Sequence, residues 1–392
     1  MKDAIVVVGI ARTAMGGMQG VLSGATATEL GSAAITGALK DAGIQADQVD
    51  EVLMGCVLPA GLGQAPARQA ALGAGLPNST PCTTVNKVCG SGMKTVMMAC
   101  DTLLAGNAEV VVAGGMESMS NAPYMLPKAR SGYRMGHGEV VDHMFFDGLQ
   151  DAYEGGMMGS FGELCAEKYA FSREAQDSYA IESLARANRA IDEGKFKREI
   201  APVTLTTRKG ETLIDTDEQP GNARPDKIPQ LKPAFKKDGT ITAANASSIS
   251  DGAAALVLMR QSEAEKRGLK AQAIIRGASQ HAQQPEWFTT APVGAMQKVL
   301  EKCDWQVGDV DLFEINEAFA VVAMAGMTEL DIPHDKVNVH GGACALGHPL
   351  GASGARIIVT LMAALQTYGK KTGVASLCIG GGEATALAVE LL

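Results

Sequence analysis

The sequence has no apolar run of the roughly 18–20 residues that a membrane-spanning helix needs. Aromatic residues make up only 4% of the chain, and the eight cysteines include no CxxC pair and no spacing typical of zinc ligands. The first residues enter a strand pattern directly, so we expect a cytoplasmic protein with reduced thiols and no bound metal. The net charge of −9 argues against nucleic acid or an anionic membrane as a partner.

Glycine is abundant, with 46 residues, and strand patterns alternate with helix patterns along the chain. Thr26 and Glu29 predict a capping box at the start of a helix over residues 26–42, and Gly43 predicts its end. Strands that alternate with helices predict an α/β fold of parallel sheets covered by helices.

The order of these elements returns after residue 270. Asp50 aligns with Asp311, and Ser91-Gly92-x-Lys94 aligns with Ser353-Gly354-x-Arg356. Ordered matches of this kind indicate a duplicated βαβ unit. We therefore predict two similar halves, residues 1–120 and 271–392, and an inserted region, residues 121–270, in which basic residues accumulate.

Cys89 lies between a short extended run and a helix predicted over residues 92–104. The positive end of a helix favours thiolate, which is the form that attacks carbonyl carbon. A buried, inert cysteine at a helix start is the alternative that this segment leaves open.

Three other segments carry candidate chemistry: His348 in a Gly-rich loop, Cys378 at the end of a strand, and Asn316 after another strand. Taken singly, a loop histidine and a core cysteine are ordinary structural residues. Together with Cys89, they can be metal ligands, a redox pair, or a nucleophile with its acid and base. The last alternative fits best, because Gly-rich turns supply the backbone N–H groups that acyl transfer needs.

At these positions the sequence resembles the thiolase family, and the likeness runs essentially the whole length. The four signature regions of the family correspond, in order, to Asn86-Lys87-Val88-Cys89-Gly90-Ser91-Gly92, Asn316-Glu317-Ala318-Phe319, Gly341-Gly342-Ala343 with Gly347-His348-Pro349, and Cys378-Ile379-Gly380-Gly381-Gly382. The loop-domain pattern of the family corresponds to Pro233-Ala234-Phe235, Thr242-Ala243-x-Asn245-Ala246-Ser247 and Asp251-Gly252-Ala253-Ala254. The set is highly specific, although no single motif is.

The resemblance implies a five-layered αβαβα core of two duplicated halves with an inserted loop domain, usually assembled as a homotetramer (a dimer of dimers). It implies a ping-pong acyltransferase of fatty acid metabolism, with coenzyme A as a substrate and no permanently bound cofactor. Cys89, activated by His348, would carry the acyl group, and Cys378 would deprotonate acetyl-CoA. Asn316 with His348 would form one oxyanion hole, and the N–H groups of Cys89 and Gly380 the other.

The resemblance also implies residues for substrate binding. Ser247, Ala318 and Phe319 match positions that line the pantetheine path, and Arg224 is a candidate for the 3′-phosphate. The chain departs from acetoacetyl-specific members at Met157, where they carry histidine, and at Trp287-Phe288. These departures would reshape the acyl pocket, although acetyl-CoA C-acetyltransferase remains the expected activity.

Two rival functions stay open from the sequence. A ketoacyl synthase-like condensing enzyme would use carrier-bound acyl groups, but such enzymes lack a second catalytic cysteine at the position of Cys378 and need a basic docking face. A catalytically silent CoA- or lipid-binding protein of the same fold would bind thioesters without turnover. Assays with free acetyl-CoA and with carrier-bound acyl groups distinguish these alternatives.

Overall fold

The computed structural model describes residues 3–208 and 210–392. Its strands are β1 (Ile5–Arg12), β2 (Gly16–Gly17), β3 (Glu51–Gly55), β4 (Cys82–Val85), β5 (Val110–Ser118), β6 (Tyr124–Met125), β7 (Val141–Asp142), β8 (Val203–Thr207), β9 (Gly210–Ile214), β10 (Ser250–Arg260), β11 (Ala273–Ala282), β12 (Leu312–Ile315), β13 (Thr372–Ile379) and β14 (Glu383–Leu391). Its α-helices are α1 (Ala27–Ala42), α2 (Pro66–Gly73), α3 (Ser91–Leu104), α4 (Met158–Lys168), α5 (Arg173–Asp192), α6 (Glu218–Asn222), α7 (Gln261–Lys266), α8 (Ala291–Cys303), α9 (Ala320–Leu330), α10 (Ala343–Leu346) and α11 (Leu350–Tyr368).

Local sequence signals set the ends of α1. Thr26 is its N-cap and forms the predicted capping box with Glu29, and Gly43 ends the helix in a left-handed conformation with φ 71°. The capping prediction is therefore confirmed. The helix after Cys89 begins at Ser91, one residue earlier than predicted.

The main sheet has the strand order β12-β13-β14-β11-β1-β10-β5-β3-β4, and β2 pairs with β10. Its halves meet where β1 and β11 pair antiparallel, with Val6 opposite Ile274. Outward from this junction, β1, β10, β5 and β3 in one half correspond to β11, β14, β13 and β12 in the other. The strand order thus reflects the duplication seen in the sequence.

The prediction of parallel sheets is wrong for most of the pairs. Within the described residues only β3–β4, β3–β5 and β12–β13 are parallel. Each half also contains strands that return antiparallel, such as β14 beside β13. Gly381 and Gly382, both with φ 90°, form the tight turn between those two strands, so no crossover helix is needed there.

Three apolar clusters define the five layers, because alternate residues of each strand face opposite sides. In β1, Val6 and Val8 pack beneath α1 and α2, whereas Ile5 and Val7 face the central layer of α3 and α11. In the second half, alternate residues of β13 likewise face α3 and α11 or the outer helices α8 and α9. The predicted αβαβα fold is confirmed.

The central helices α3 and α11 approach each other closely through a pair of glycines. A Cβ atom on Gly92 would lie 2.8 Å from the backbone nitrogen of Ala355, and one on Gly354 would lie 2.3 Å from that of Met93. These contacts are equivalent in the two halves, and they bring the N-terminal ends of both helices to the junction. By length and composition alone, α11 could cross a membrane, but 89% of its 18-residue apolar window is buried within the protein, as in a core helix.

The three predicted regions do not correspond to separate β-sheets. Strand β10 lies in the region 121–270, yet it pairs with β1 and β5 and completes the sheet of the first half. The boundaries at residues 120 and 270 stay predictions, and the first two residues of the chain lie outside the described residues.

Candidate active site

Cys89 lies in a tight turn between β4 and α3. Val88 has a left-handed backbone with φ 46°, which is strained for a β-branched residue. Ser91 holds the turn: its Oγ accepts the backbone N–H of Lys87 at 2.8 Å and donates to the carbonyl of Val88 at 2.6 Å. The Cys89 side chain is half-buried, so the turn presents the sulfur at the edge of the interior.

The electrostatics of Cys89 differ from the sequence expectation. Burial raises the pKa of its thiol to about 11, although the N–H groups of Gly380 and of Cys89 itself oppose this shift. Burial thus opposes the thiolate that the helix start was expected to favour, and Cys89 precedes the first residue of α3 by two positions. A base must therefore remove the proton when the sulfur attacks.

Cys378 and Gly380 lie beside this turn. A Cβ on Gly90 would touch the Ile379 side chain, and the Gly380 N–H points at the Cys89 sulfur. Burial, and then the nearby Cys89, raise the pKa of Cys378 far above its usual range. Lys87 forms an ion pair with Glu383, which follows the same glycine turn. The two cysteines thus lie close enough for their charges to interact, where the Cys89 turn of the first half contacts the end of β13 in the second.

His348 is buried just before α11. Its Nδ1 lies 2.5 Å from Ser353 Oγ, and its Nε2 has no hydrogen-bond partner within the described part of the chain. Burial, together with the charge of Arg356, lowers the pKa of the imidazole to about 3. The ring is therefore neutral at physiological pH and holds a free nitrogen, as a base requires.

Asn316 directly follows β12 and is also buried. Its Nδ2 lies 3.5 Å from His348 Nδ1, and its Oδ1 accepts from Arg356 Nη2 at 3.4 Å. Arg356 in turn lies 3.5 Å from Glu314, whose pKa burial raises to about 8. The structure thus brings Asn316 and His348 together over a buried ion pair.

A buried carboxylate joins the segment after β3 to the start of α11, just after the histidine loop. Glu117 accepts the N–H of Gly351, at the start of α11, at 2.8 Å and those of Val57 and Leu58 at 3.0 and 3.1 Å. It also lies near enough to Cys89 to raise the pKa of that thiol. Burial raises the pKa of Glu117 itself to about 7.

Four buried residues near the site, Glu117, Ser353, Arg356 and Glu314, carried no predicted role. For two of them a signal was present. Ser353 and Arg356 belong to the motif that aligns with the segment after Cys89. A serine that recurs beside both the candidate nucleophile and the candidate base would have indicated a shared supporting role. Glu314 gave no signal, since it lies within an otherwise apolar strand.

The residues predicted to line the pantetheine path lie on adjoining segments. The backbone N–H of Ser247 donates to the carbonyl of Ala318 at 2.9 Å, and Ala246 bridges to Phe319. Ala318 and Phe319 are buried, and the Phe319 ring packs edge-on against Phe235 at 6.1 Å between centroids. These contacts join the inserted region to the segment that follows Asn316.

Arg224 is exposed at a cavity of about 330 Å³. Lys227, Ser248 and Cys344 also line this cavity, and Ser248 accepts the backbone N–H of His348 at 3.1 Å. The cavity therefore extends from a basic surface toward the histidine loop. Its two basic residues, Arg224 and Lys227, suit an anionic ligand.

A second cavity, of about 470 Å³, adjoins the cysteine turn and is lined by Val88, Met158, Gly380 and Gly381 with Phe146 and Tyr153. Met157 is half-buried, caps α4 and bridges to Gln150 beside this cavity. Phe288 instead packs on Phe161, and Trp287 lies beneath Lys168, so neither lines the cavity.

Comparison with known families gives a match along the chain. Residues 5–262 match the family model described as thiolase, N-terminal domain, and residues 269–391 match the one described as thiolase, C-terminal domain. The chain is 54% identical over 391 residues to acetyl-CoA acetyltransferase 2 of Arabidopsis thaliana, covering 99% of this chain and 97% of that protein. It is 49% identical over 392 residues to acetyl-CoA acetyltransferase of Schizosaccharomyces pombe, covering 100% and 99%.

Solved structures show the same similarity. The acetyl-CoA acetyltransferase of Bacillus anthracis superposes with a TM-score of 0.97 at 41% identity, over 100% of this chain and 99% of the other. The Acat5 thiolase of Ascaris suum, solved in complex with coenzyme A, superposes with a TM-score of 0.94 at 40% identity, over 99% and 100%.

Proposed function

The chain belongs to the thiolase family, and we propose that it is an acetyl-CoA C-acetyltransferase. It is an acyltransferase with coenzyme A as a substrate. The observation that carries the proposed mechanism is the meeting of Cys89, Cys378 and the Gly380 N–H at the junction of the halves, with a neutral His348 beside Asn316.

In the first half-reaction, Cys89 attacks the thioester carbonyl of an acyl-CoA. Because the raised pKa keeps Cys89 protonated at rest, the thiol must lose its proton as the carbon–sulfur bond forms. That proton passes to His348 Nε2. The bond to coenzyme A then breaks, and the same proton passes from His348 to the leaving thiolate. The product of this step is an acyl-enzyme on Cys89 and free coenzyme A.

In the second half-reaction, acetyl-CoA enters, the Cys378 thiol passes its proton to the neutral His348, and the resulting thiolate removes a proton from the α-carbon of acetyl-CoA. A thiolate whose conjugate acid has a strongly raised pKa is a strong base, which suits so weak a carbon acid. The carbanion attacks the acyl carbonyl, a carbon–carbon bond forms, the bond to Cys89 breaks, and the released Cys89 thiolate takes the proton of His348. In the reverse direction, the Cys378 thiol returns a proton to the carbanion.

Negative charge develops on a thioester oxygen in both half-reactions. The Gly380 and Cys89 N–H groups converge at the sulfur, which supports the proposal that they would hold the oxygen of the acyl-enzyme. Asn316 and the protonated His348 are placed to hold the oxygen of the incoming acetyl-CoA. Removal of one donor from such a site lowers kcat by about 100- to 1,000-fold.

For coenzyme A binding, we propose the cavity beside Arg224 and Lys227, which offers positive charge for phosphate. The segment with Ser247, Ala318 and Phe319 would guide the pantetheine toward the cysteines. The cavity beside Met158 would receive the acyl chain, with Met157 at its margin.

We also propose a homotetramer that works in fatty acid metabolism in the cytoplasm. The segment from Tyr124 to Phe146 exposes apolar side chains, including Met135 at 97% exposure, and β4 is an open edge of the sheet. Such surfaces favour pairing with further copies of the chain.

The eight cysteines are free, which fits a reducing compartment. Light scattering tests the assembly, and fractionation of cells tests the location.

The replacement Cys89→Ala tests the proposed function most directly. We expect no acyl-enzyme by mass spectrometry after incubation with acetyl-CoA, and no turnover in either direction. Cys303→Ala is a matched control, because Cys303 lies at the end of α8 away from the site. Wild-type activity in the Cys89 variant would refute the mechanism. An activity series with thioesters of increasing length then defines the acyl group.

A further inference from the structure

Ser353 makes two hydrogen bonds whose directions can be assigned from chemistry. Its hydroxyl donates to the carbonyl of Pro349 at 2.9 Å, and a carbonyl can only accept. A serine has one hydroxyl hydrogen, so its oxygen must act as an acceptor in its other contact. That contact, at 2.5 Å, is with His348 Nδ1, which therefore carries a hydrogen.

Asn316 cannot replace Ser353 as the acceptor of this hydrogen, because Arg356 fixes the direction of its amide. The guanidinium of Arg356 has no acceptor, so Asn316 Oδ1 faces it and the NH2 group faces His348. Across 3.5 Å, the Asn316 NH2 and the Nδ1–H of His348 are then two donors without a bond between them. The amide stays available for a thioester oxygen or a bridging water.

The other half of the protein contains the same arrangement. Ser91, the counterpart of Ser353, donates to the Val88 carbonyl and accepts the N–H of Lys87, and so holds the turn with Cys89. In both halves, the serine at the start of the central helix gives its hydrogen to a preceding carbonyl and receives one from the functional loop.

We propose that Ser353 is a positioning residue that keeps His348 in the Nδ1–H tautomer, so that the Nε2 lone pair is free to take the proton of Cys89. Without the hydroxyl, Asn316 can donate to Nδ1, which moves the ring hydrogen to Nε2 and removes the base. The inference rests on the proposed role of His348 in acylation.

The test is Ser353→Ala, with Ser279→Ala as a matched control. Ser279 is also buried and donates to a carbonyl, that of Ala295 at 2.6 Å, but this bond joins β11 to α8. We expect the rate of acyl-enzyme formation by Ser353→Ala to fall by about a hundredfold, the lower end of what a positioned base contributes. The KM for acetyl-CoA and the rate for Ser279→Ala should stay unchanged, and Ser353→Thr should recover part of the loss.

A spectroscopic measurement separates positioning from a loss of stability. The 15N resonances of labelled histidine distinguish a protonated from an unprotonated ring nitrogen, and His348→Ala identifies the relevant signals. We expect hydrogen on Nδ1 in the wild type and on Nε2 in Ser353→Ala. A wild-type tautomer or wild-type acylation in that variant overturns the proposal. Acylation at the wild-type rate by His348→Ala would instead refute the base itself, and so the proposed function.

Discussion

Asp50 and Asp311 make the same hydrogen bonds in the two halves of the protein. Asp50 Oδ2 accepts the N–H groups of Glu109 and Val110, both at 2.8 Å. Asp311 Oδ2 accepts those of Lys371 and Thr372 at 2.9 and 3.1 Å. In each half the carboxylate joins the start of one strand to the start of its parallel neighbour, and so it fixes the register of the sheet that positions the cysteines and Asn316.

We therefore expect Asp50→Ala and Asp311→Ala each to lower the free energy of unfolding by about 1–3 kcal/mol, because each loses two solvent-accessible hydrogen bonds of about 0.5–1.5 kcal/mol. The two sites are in different halves, so the effects should add in the double variant. Urea denaturation measures this, with the exposed Asp47→Ala as control. A much larger effect of one replacement than of the other would show that the halves do not share this contact equally.

Cys378→Ala should separate the half-reactions. Since Cys89 and His348 remain, we expect acyl-enzyme formation from acetyl-CoA near the wild-type rate. Condensation and exchange of the acetyl α-hydrogens with deuterated water should both be lost, because no base remains for the carbon acid. Mass spectrometry follows the acyl-enzyme, and NMR follows the exchange. Persistent exchange would assign the carbon base to another residue.

The pH dependence of acylation and alkylation at Cys89 should show that Cys89 and His348 are both uncharged near pH 7. The pKa of Cys89 is raised to about 11 and that of His348 is lowered to about 3, so neither group changes its charge near neutrality. Acylation should vary little between about pH 6 and pH 9, whereas alkylation by iodoacetamide, which needs thiolate, should rise steadily with pH. Alkylation that levels off near pH 7 would indicate a preformed thiolate–imidazolium pair.

Arg224→Ala tests the site proposed for the coenzyme A phosphates. We expect the KM for coenzyme A in thiolysis to rise by about 3- to 10-fold with kcat unchanged, since an exposed charged contact contributes modestly to binding. Dephospho-coenzyme A shows whether the contact involves the 3′-phosphate, because the variant and the wild type should then have the same KM. Lys232→Ala is the control, a nearby exposed lysine that does not line the cavity. An unchanged KM for coenzyme A would place the phosphates elsewhere.

Arg12 holds the inserted region to the first strand. Its guanidinium binds both oxygens of Asp217, at 2.7 and 2.8 Å, and Glu199 at 2.5 Å, and all three side chains are buried. Arg12→Met would leave two carboxylates buried without their partner, so we expect a loss of about 3–5 kcal/mol in the free energy of unfolding. Lys236→Met, which removes an exposed ion pair with Glu167, should leave the stability unchanged. Equal stabilities of both variants would contradict this role of Arg12.

The sequence determined the local features of the protein and the residues that form the site. The capping box at Thr26 and Glu29 depends on neighbours three positions apart. The duplication is visible in aligned motifs, such as those that begin at Ser91 and Ser353. The motifs with Cys89, Asn316, His348 and Cys378 also gave the family, because their combination is specific where each alone is not.

Only the tertiary structure decided the direction of most strand pairs and the protonation of the site. Ten strands form one sheet through the contact of β1 with β11, whose residues lie far apart in the chain. Likewise, the helix start suggested a thiolate at Cys89, but burial raises the pKa of that thiol. The orientation of Asn316 depends on Arg356, forty residues away. Desolvation and long-range contacts of this kind exist only after the chain has folded, so no local pattern reports them.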